Sequence, residues 1–209
     1  MEYLSIIATV AVVHLLAVIS PGPDFMMITR NSLVYSRKTG MYSALGLGLG
    51  ILVHITYSLV GIGLIISQSI VLFTVIKYLG AVYLIYIGYK SLTAKSNSAR
   101  DKAFEVRPDI TPQKALRIGF LTNVLNPKAT LFFLSLFTLV ITPGTPLFVK
   151  LIMSAEMSIV TALWFMFIAF IFSHHVLKNR IQKVQHIAER FIGIALIFLG
   201  LKVAFSTSK

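Results

Sequence analysis

Ser20-Pro21-Gly22-Pro23-Asp24 stands inside one long apolar segment of this chain, and Asn126-Pro127-Lys128 stands inside another. Proline removes a helical hydrogen bond, and an ionised side chain in hydrocarbon is costly. Neither persists in a membrane helix without a compensating packing or functional role. Two such sites in a chain of 209 residues point to a polar substrate pathway through an apolar medium.

The surrounding composition is that of a membrane protein. Hydrophobic residues make up 56% of the chain and charged residues 12%, and the mean hydropathy is +0.85, so water is not the principal solvent. No Lys, Arg, Asp or Glu occurs from Thr39 to Ile76 or from Met157 to Leu177, whereas about 20 residues suffice for a helix to cross a bilayer. The pattern predicts an all-α integral membrane fold with six transmembrane helices, at roughly 3–29, 40–66, 70–92, 113–141, 147–174 and 186–206. Gly61, Gly63 and Ser67-Gln68-Ser69 predict a turn between the second and third spans.

Three parts follow. Residues 1–93 form a first three-helix repeat, 94–111 a cytoplasmic linker, and 112–209 a second three-helix repeat. The linker is rich in charge, with Lys95, Arg100, Asp101, Lys102, Glu105, Arg107 and Asp109, and has no apolar period. It ends at Thr111-Pro112, an N-cap followed by proline at the first helical position. Pro21 and Pro127 each fall in the first helix of a three-helix unit, and the third helices close alike, with Gly88-Tyr89-Lys90 and Gly200-Leu201-Lys202. An odd number of spans per repeat inverts the second copy in the membrane and brings the two broken first helices together near its middle.

The net charge of +12 follows topology. With the N-terminus outside, most of the 19 Lys and Arg residues fall in inner loops, among them Arg37, Lys38, Lys95, Arg107, Lys178 and Arg190. The outer side receives Lys77, Lys150, Lys202 and Lys209, and Lys128 stays within the membrane. Positive residues collect on the cytoplasmic side, so both termini are expected outside, and no nucleic-acid partner is needed to explain the charge. Glu2 without a basic leader predicts that the first helix is retained. Absence of cysteine removes disulfides and thiolate sites. There is no Gly-x-Ser-x-Gly, no His-Glu-x-x-His and no pair of membrane aspartates, so neither an enzyme nor a cofactor is expected.

The chain resembles the LysE/RhtB family of bacterial amino-acid exporters. The resemblance rests on Ser20-Pro21-Gly22-Pro23-Asp24 with Thr29-Arg30-Asn31-Ser32, Ala44-Leu45-Gly46 with Gly50, and Tyr78-Leu79-Gly80-Ala81 through Gly88. It continues through Thr111-Pro112, Gly119-Phe120-Leu121-Thr122-Asn123-Val124-Leu125-Asn126-Pro127-Lys128-Ala129, and Arg190-Phe191-Ile192-Gly193 through Gly200. It implies proton-driven export of amino acids, neutral ones such as threonine and homoserine or basic ones such as lysine, across the bacterial inner membrane. The alternative class is an exporter or channel for another small ion or metal, which calls for more acidic or histidine ligands than the spans contain.

The residues themselves agree with an amino-acid substrate. A zwitterion needs one partner for its ammonium and one for its carboxylate where water is scarce. Asp24 and Lys128 are the expected pair, with Pro21, Gly22, Pro23, Asn126 and Pro127 forming the breaks around them. A half-helix that starts at such a break presents N–H groups and a positive dipole end to an anion, and the unwound residues before it offer carbonyls to an ammonium. The competing reading is an ion pair between Asp24 and Lys128 that only holds the halves together.

Candidates for a coupling proton are Asp24, Glu156 and His54, because a carboxylate out of water holds its proton more tightly and histidine titrates near neutrality. His14 and His54 also fit hydrogen-bonded contacts between helices. His174, His175 and His186 lie among Lys and Arg at the inner end and have no carboxylate at ligand spacing, so they read as interfacial and no metal is assigned. Gly46 and Gly50 form a small-xxx-small pair that admits a close neighbour, from this chain or from a second copy in a homodimer.

The charge bias makes topology testable. A membrane-impermeant label should reach tags at both termini in cells with a permeabilised outer membrane and should not reach a tag beside Asn97. Labelling at Asn97 with protected termini would reverse the orientation.

Overall fold

The computed structural model describes residues 2–68, 70–93, 107–141, 144–173 and most of 190–205. The helices are α1 (Glu2–Ile19), α2 (Pro23–Val34), α3 (Arg37–Gln68), α4 (Ile70–Thr93), α5 (Pro112–Val124), α6 (Pro127–Val140) and α7 (Leu147–Phe172), and the described residues between 190 and 205 are helical too. No strand occurs among the described residues. The His174, His175 and His186 reading lies outside them, as do 94–106 of the linker.

Both expected breaks are present. α1 stops at Ile19 and α2 restarts at Pro23 with a 55° bend, while α5 stops at Val124 and α6 restarts at Pro127. Proline occupies the first turn of α2, α5 and α6, where its missing N–H would have no helical partner anyway. Thr111 caps α5 by accepting from the Lys114 amide at 3.3 Å. α3 runs through Gly61 and Gly63 to Gln68 and α4 begins at Ile70, so the two helices divide beside the polar Ser67-Gln68-Ser69, within two residues of the expected bounds at 66 and 70. Gly61 and Gly63 do not end α3, since a glycine costs a helix only about 1 kcal/mol.

Two helical stretches, Arg37–Gly61 and Leu147–Phe172, are each long and apolar enough to cross a bilayer, and α1 with α2 pass together as a bent pair. Large apolar side chains face outward along the bundle, including Leu4, Val71, Leu79, Leu163 and Phe198. A water-soluble surface seldom carries so broad an apolar coat, whereas a lipid boundary requires one.

The interior is organised around α3, which touches α2, α4, α5, α6 and α7. Its glycines are the reason. A Cβ at Gly46 would collide with the Leu116 carbonyl of α5, one at Gly50 would stand 2.8 Å from Asn123, and one at Gly48 would stand 2.8 Å from the Ser158 carbonyl of α7. From the opposite side, a Cβ at Gly119 of α5 would collide with the Ser43 carbonyl of α3. The small-xxx-small pair therefore seats α5 of the same chain. Contacts also occur in matched sets: α1 with α7 and α5 with α3, α2 with α7 and α6 with α3, α1 with α6 and α2 with α5. The described end of the linker docks on the α2–α3 turn, where the Arg107 amide donates to the Val34 carbonyl at 2.8 Å and Thr39 donates to Asp109 at 2.9 Å.

Two glycines separate packing from propensity. Gly46→Leu should force α3 from α5 and lower the melting temperature in detergent, or abolish accumulation in the membrane. Gly61 has nothing within 4 Å of its would-be Cβ, so Gly61→Ala should stabilise by about 0.5–1 kcal/mol. Equal melting of both variants would show that the glycines do not set the α3–α5 approach.

Candidate functional site

Pro21 has no N–H, so the carbonyl of Ala17, four residues earlier, loses its helical donor. Lys128 reaches across from the first turn of α6 to supply one. Its Nζ donates to the carbonyls of Ser20 at 2.7 Å, Pro21 at 3.3 Å and Ala17 at 3.4 Å. Gly22 permits this crossing, since a Cβ there would lie 3.2 Å from Lys128 Cδ. The Asn126 side chain caps α6 by accepting from the Lys128 amide at 3.0 Å, which fixes the root of the lysine.

The second break repeats the arrangement with different groups. Pro127 cannot donate to the Asn123 carbonyl, which instead accepts from His54 Nε2 at 2.8 Å and the Asn126 amide at 2.9 Å. A carbonyl only accepts, so Nε2 carries the proton, and Nδ1 is left to accept from the Tyr57 hydroxyl at 2.6 Å. The His54 ring stacks on Phe133 with centroids 5.6 Å apart.

Asp24 stands in the first turn of α2, and its Oδ2 accepts from Asn123 Nδ2 at 2.8 Å. Its Oδ1 is buried and takes no hydrogen bond, and Asn123 Oδ1 is likewise unpartnered. Neither carboxylate oxygen takes a hydrogen bond from Lys128, so the two charges face a common space instead of closing on each other. Gly22 at the α2 N-cap has no side chain to cap the helix, and the positive end of α2 lies beside that space.

That space is a narrow cavity, with about 50 Å³ open to the centre of a water-sized sphere, that widens toward an open mouth. Asp24, Lys128, Gly22, Ser20, Asn123 and Asn126 form its polar end. Phe25, Ile51, Phe132, Phe133 and Phe165 form an apolar wall, and His14 and Thr161 add a second polar group. A small volume with apolar sides and a few convergent polar groups is the usual form of a small-molecule site.

Of the residues expected from sequence, Asp24, Lys128, Gly22 and Asn126 meet at the cavity. Pro21 contributes its carbonyl to Lys128, and Pro23 and Pro127 open the half-helices α2 and α6. His54 is one hydrogen bond away, behind Asn123. Glu156 is half-buried on α7 and does not line the cavity. Asn123, His14, Thr161 and the phenylalanines were not expected to line it. Asn123 carried a usable signal, because three residues before Asn126 puts it on the same side of a helix as the break. The aromatic wall carried none, since near-uniform apolar helices do not reveal their rotation.

Comparison with known proteins gives this cavity its setting. Residues 15–207 match the LysE type translocator family. The uncharacterised membrane protein YrhP of Bacillus subtilis (strain 168) is 32% identical over 209 residues, covering 97% of this chain and 99% of its own. The threonine efflux protein of Escherichia coli (strain K12) is 30% identical over 205 residues, covering 97% and 99%. The leucine efflux protein of Klebsiella pneumoniae is 29% identical over 196 residues, covering 91% and 89%. No solved structure matches. The match spans both proline breaks and nearly the whole membrane-embedded chain, and the protein belongs to the LysE type translocator family, a family of transporters and not of enzymes.

Proposed function

We propose that this protein is a secondary transporter that exports neutral amino acids through the cavity between the two helix breaks, coupled to protons. It sits in the bacterial cytoplasmic membrane with both termini outside, as six spans in two inverted three-helix repeats. The observation that carries the reading is the pair of opposite charges facing one cavity without a hydrogen bond between them. The α-ammonium of the substrate binds the unpartnered Oδ1 of Asp24 and Oδ1 of Asn123. Its carboxylate takes the place of the two longer carbonyl contacts of Lys128 and meets the uncapped amides of α2.

Several features support the finer points. Three sets of contacts among α1, α2, α3, α5, α6 and α7 are ones two inverted copies would make, while α2–α3 has no α6–α7 counterpart of similar extent among the described residues. Among the described residues Asp24 is the one carboxylate lining the cavity, so a second ammonium, as in lysine, has no counter-charge from them there. The relatives named for threonine and leucine efflux carry neutral substrates in their names. A metal or other cation reading has less support, because no cluster of three or more His, Cys, Asp or Glu occurs among the described residues. Asp24 is the preferred coupling group because it meets the substrate. Glu156 is remote from the cavity, and both nitrogens of His54 are engaged at the second break.

Charge removal tests this reading. Asp24→Asn and Lys128→Gln should each lower gradient-driven export of threonine from proteoliposomes by about tenfold or more, the usual loss when a charged hydrogen bond is removed. The double variant should be no better than the worse single one. Recovery to near the parent rate at equal protein content would mean that the charges only neutralise each other.

The breaks themselves are tested by Pro21→Ala. Alanine returns an N–H to the Ala17 carbonyl, which competes with Lys128 for it, so export should fall several-fold while membrane abundance is retained. Export at the parent rate would remove the α1–α2 break from the mechanism.

A further inference from the structure

His14 is 1% exposed, lines the cavity, and is buried with its Nδ1 lacking any protein partner. Its Nε2 lies 3.2 Å from Thr161 Oγ1, which joins α1 to α7 across the cavity wall. Phe132 and Phe133 stand beside the ring at centroid distances of 6.4 and 6.1 Å. A buried polar nitrogen without a partner is unfavourable, and an occupant of the cavity that pairs with it removes that penalty.

We infer that His14 and Thr161 form a side-chain subsite that selects an amino acid bearing a hydroxyl over an aliphatic one of equal size. This rests on the amino-acid reading of the cavity above. His14 precedes Ala17, whose carbonyl contacts Lys128, by three residues, about 4.5 Å of helix rise. That is of the order of the length of a small amino acid, so a substrate anchored at Asp24 and Lys128 turns its side chain toward His14.

The chemistry of the occupant follows from the groups present. The Thr161 hydroxyl both donates and accepts, so the His14 ring can expose Nδ1 as donor or as acceptor. A substrate hydroxyl also does both and satisfies either tautomer. Among the described residues lining the cavity, a side-chain ammonium would find no carboxylate beyond Asp24, and a side-chain carboxylate no cation beyond Lys128, each already matched to the backbone end of the zwitterion. An aliphatic side chain would leave Nδ1 unpaired. A site built to bond a hydroxyl discriminates strongly against the analogue that lacks one, whereas an apolar pocket only weakly rejects a hydroxyl.

Threonine and valine are near-isosteric and differ at this group, so their ratio reads the subsite. Purified full-length protein in proteoliposomes is compared for export of labelled threonine and labelled valine. The parent should favour threonine, and His14→Leu and Thr161→Val should each lower the threonine-to-valine ratio by about tenfold. Thr161→Ser, which keeps the hydroxyl, should hold the parent ratio. An unchanged ratio in His14→Leu and Thr161→Val, or equal loss of both substrates in every variant including Thr161→Ser, would overturn the subsite and make the pair a packing element. Export of neither amino acid by the parent would instead overturn the amino-acid reading itself, so the two failures are distinguishable.

Discussion

A carbonyl that has lost its donor in hydrocarbon must find another, and this protein is built around two such carbonyls. Pro21 strands Ala17 and Pro127 strands Asn123, because neither imide nitrogen carries a proton. Lys128 answers the first from the start of α6, and His54 answers the second from the middle of α3. Each solution crosses from one half of the chain to the other. A buried ammonium and a set of unpaired carbonyls are each unfavourable alone, and together they satisfy one another and tie the breaks into a single polar centre.

That centre exists because α3 lies unusually close to its neighbours. Gly46, Gly50 and Gly119 let the backbones of α3 and α5 approach, which brings Asn123 against Gly50 and within reach of His54. Asn123 then orients Asp24 through its amide while its own Oδ1 is buried against Gly50 without a hydrogen-bond partner. One asparagine thus links the packing of two helices to the placement of the carboxylate. In a membrane, where apolar faces gain little by meeting each other instead of lipid, such close backbone approach and interhelical hydrogen bonding carry much of the specificity.

The cavity has two chemically distinct parts, and on the proposed function its charged end reads what every amino acid shares while its wall of Phe25, Phe132, Phe133 and Phe165 with His14 and Thr161 meets what differs among them. The common end is assembled from helix breaks and their caps. The wall is assembled from side chains of the broken helices themselves, His14 on α1, Phe25 on α2 and Phe132 and Phe133 on α6, together with Thr161 and Phe165 of the unbroken α7.

Much of this was legible from residues alone. Apolar runs longer than a bilayer, proline-bearing breaks at Ser20–Asp24 and Asn126–Lys128, and charges beside them determine membrane helices, their interruptions and the two ionic candidates, since each follows from local chemistry: a missing N–H, a span length, the cost of a charge. The division between α3 and α4 at Gln68 and Ile70 was legible too, from the polar Ser67-Gln68-Ser69 between two apolar runs, whereas Gly61 and Gly63 lie inside α3, because a glycine lowers helix stability only slightly. Tertiary structure alone decided that Lys128 bonds carbonyls instead of Asp24, that Gly46 and Gly50 serve α5 of the same chain, that Glu156 stays away from the cavity, and that His14 faces it. In all of these the deciding quantity is the rotation of an apolar helix about its own axis. A sequence with hydrophobic residues on every face does not encode that rotation locally, and only the fit of neighbouring helices sets it.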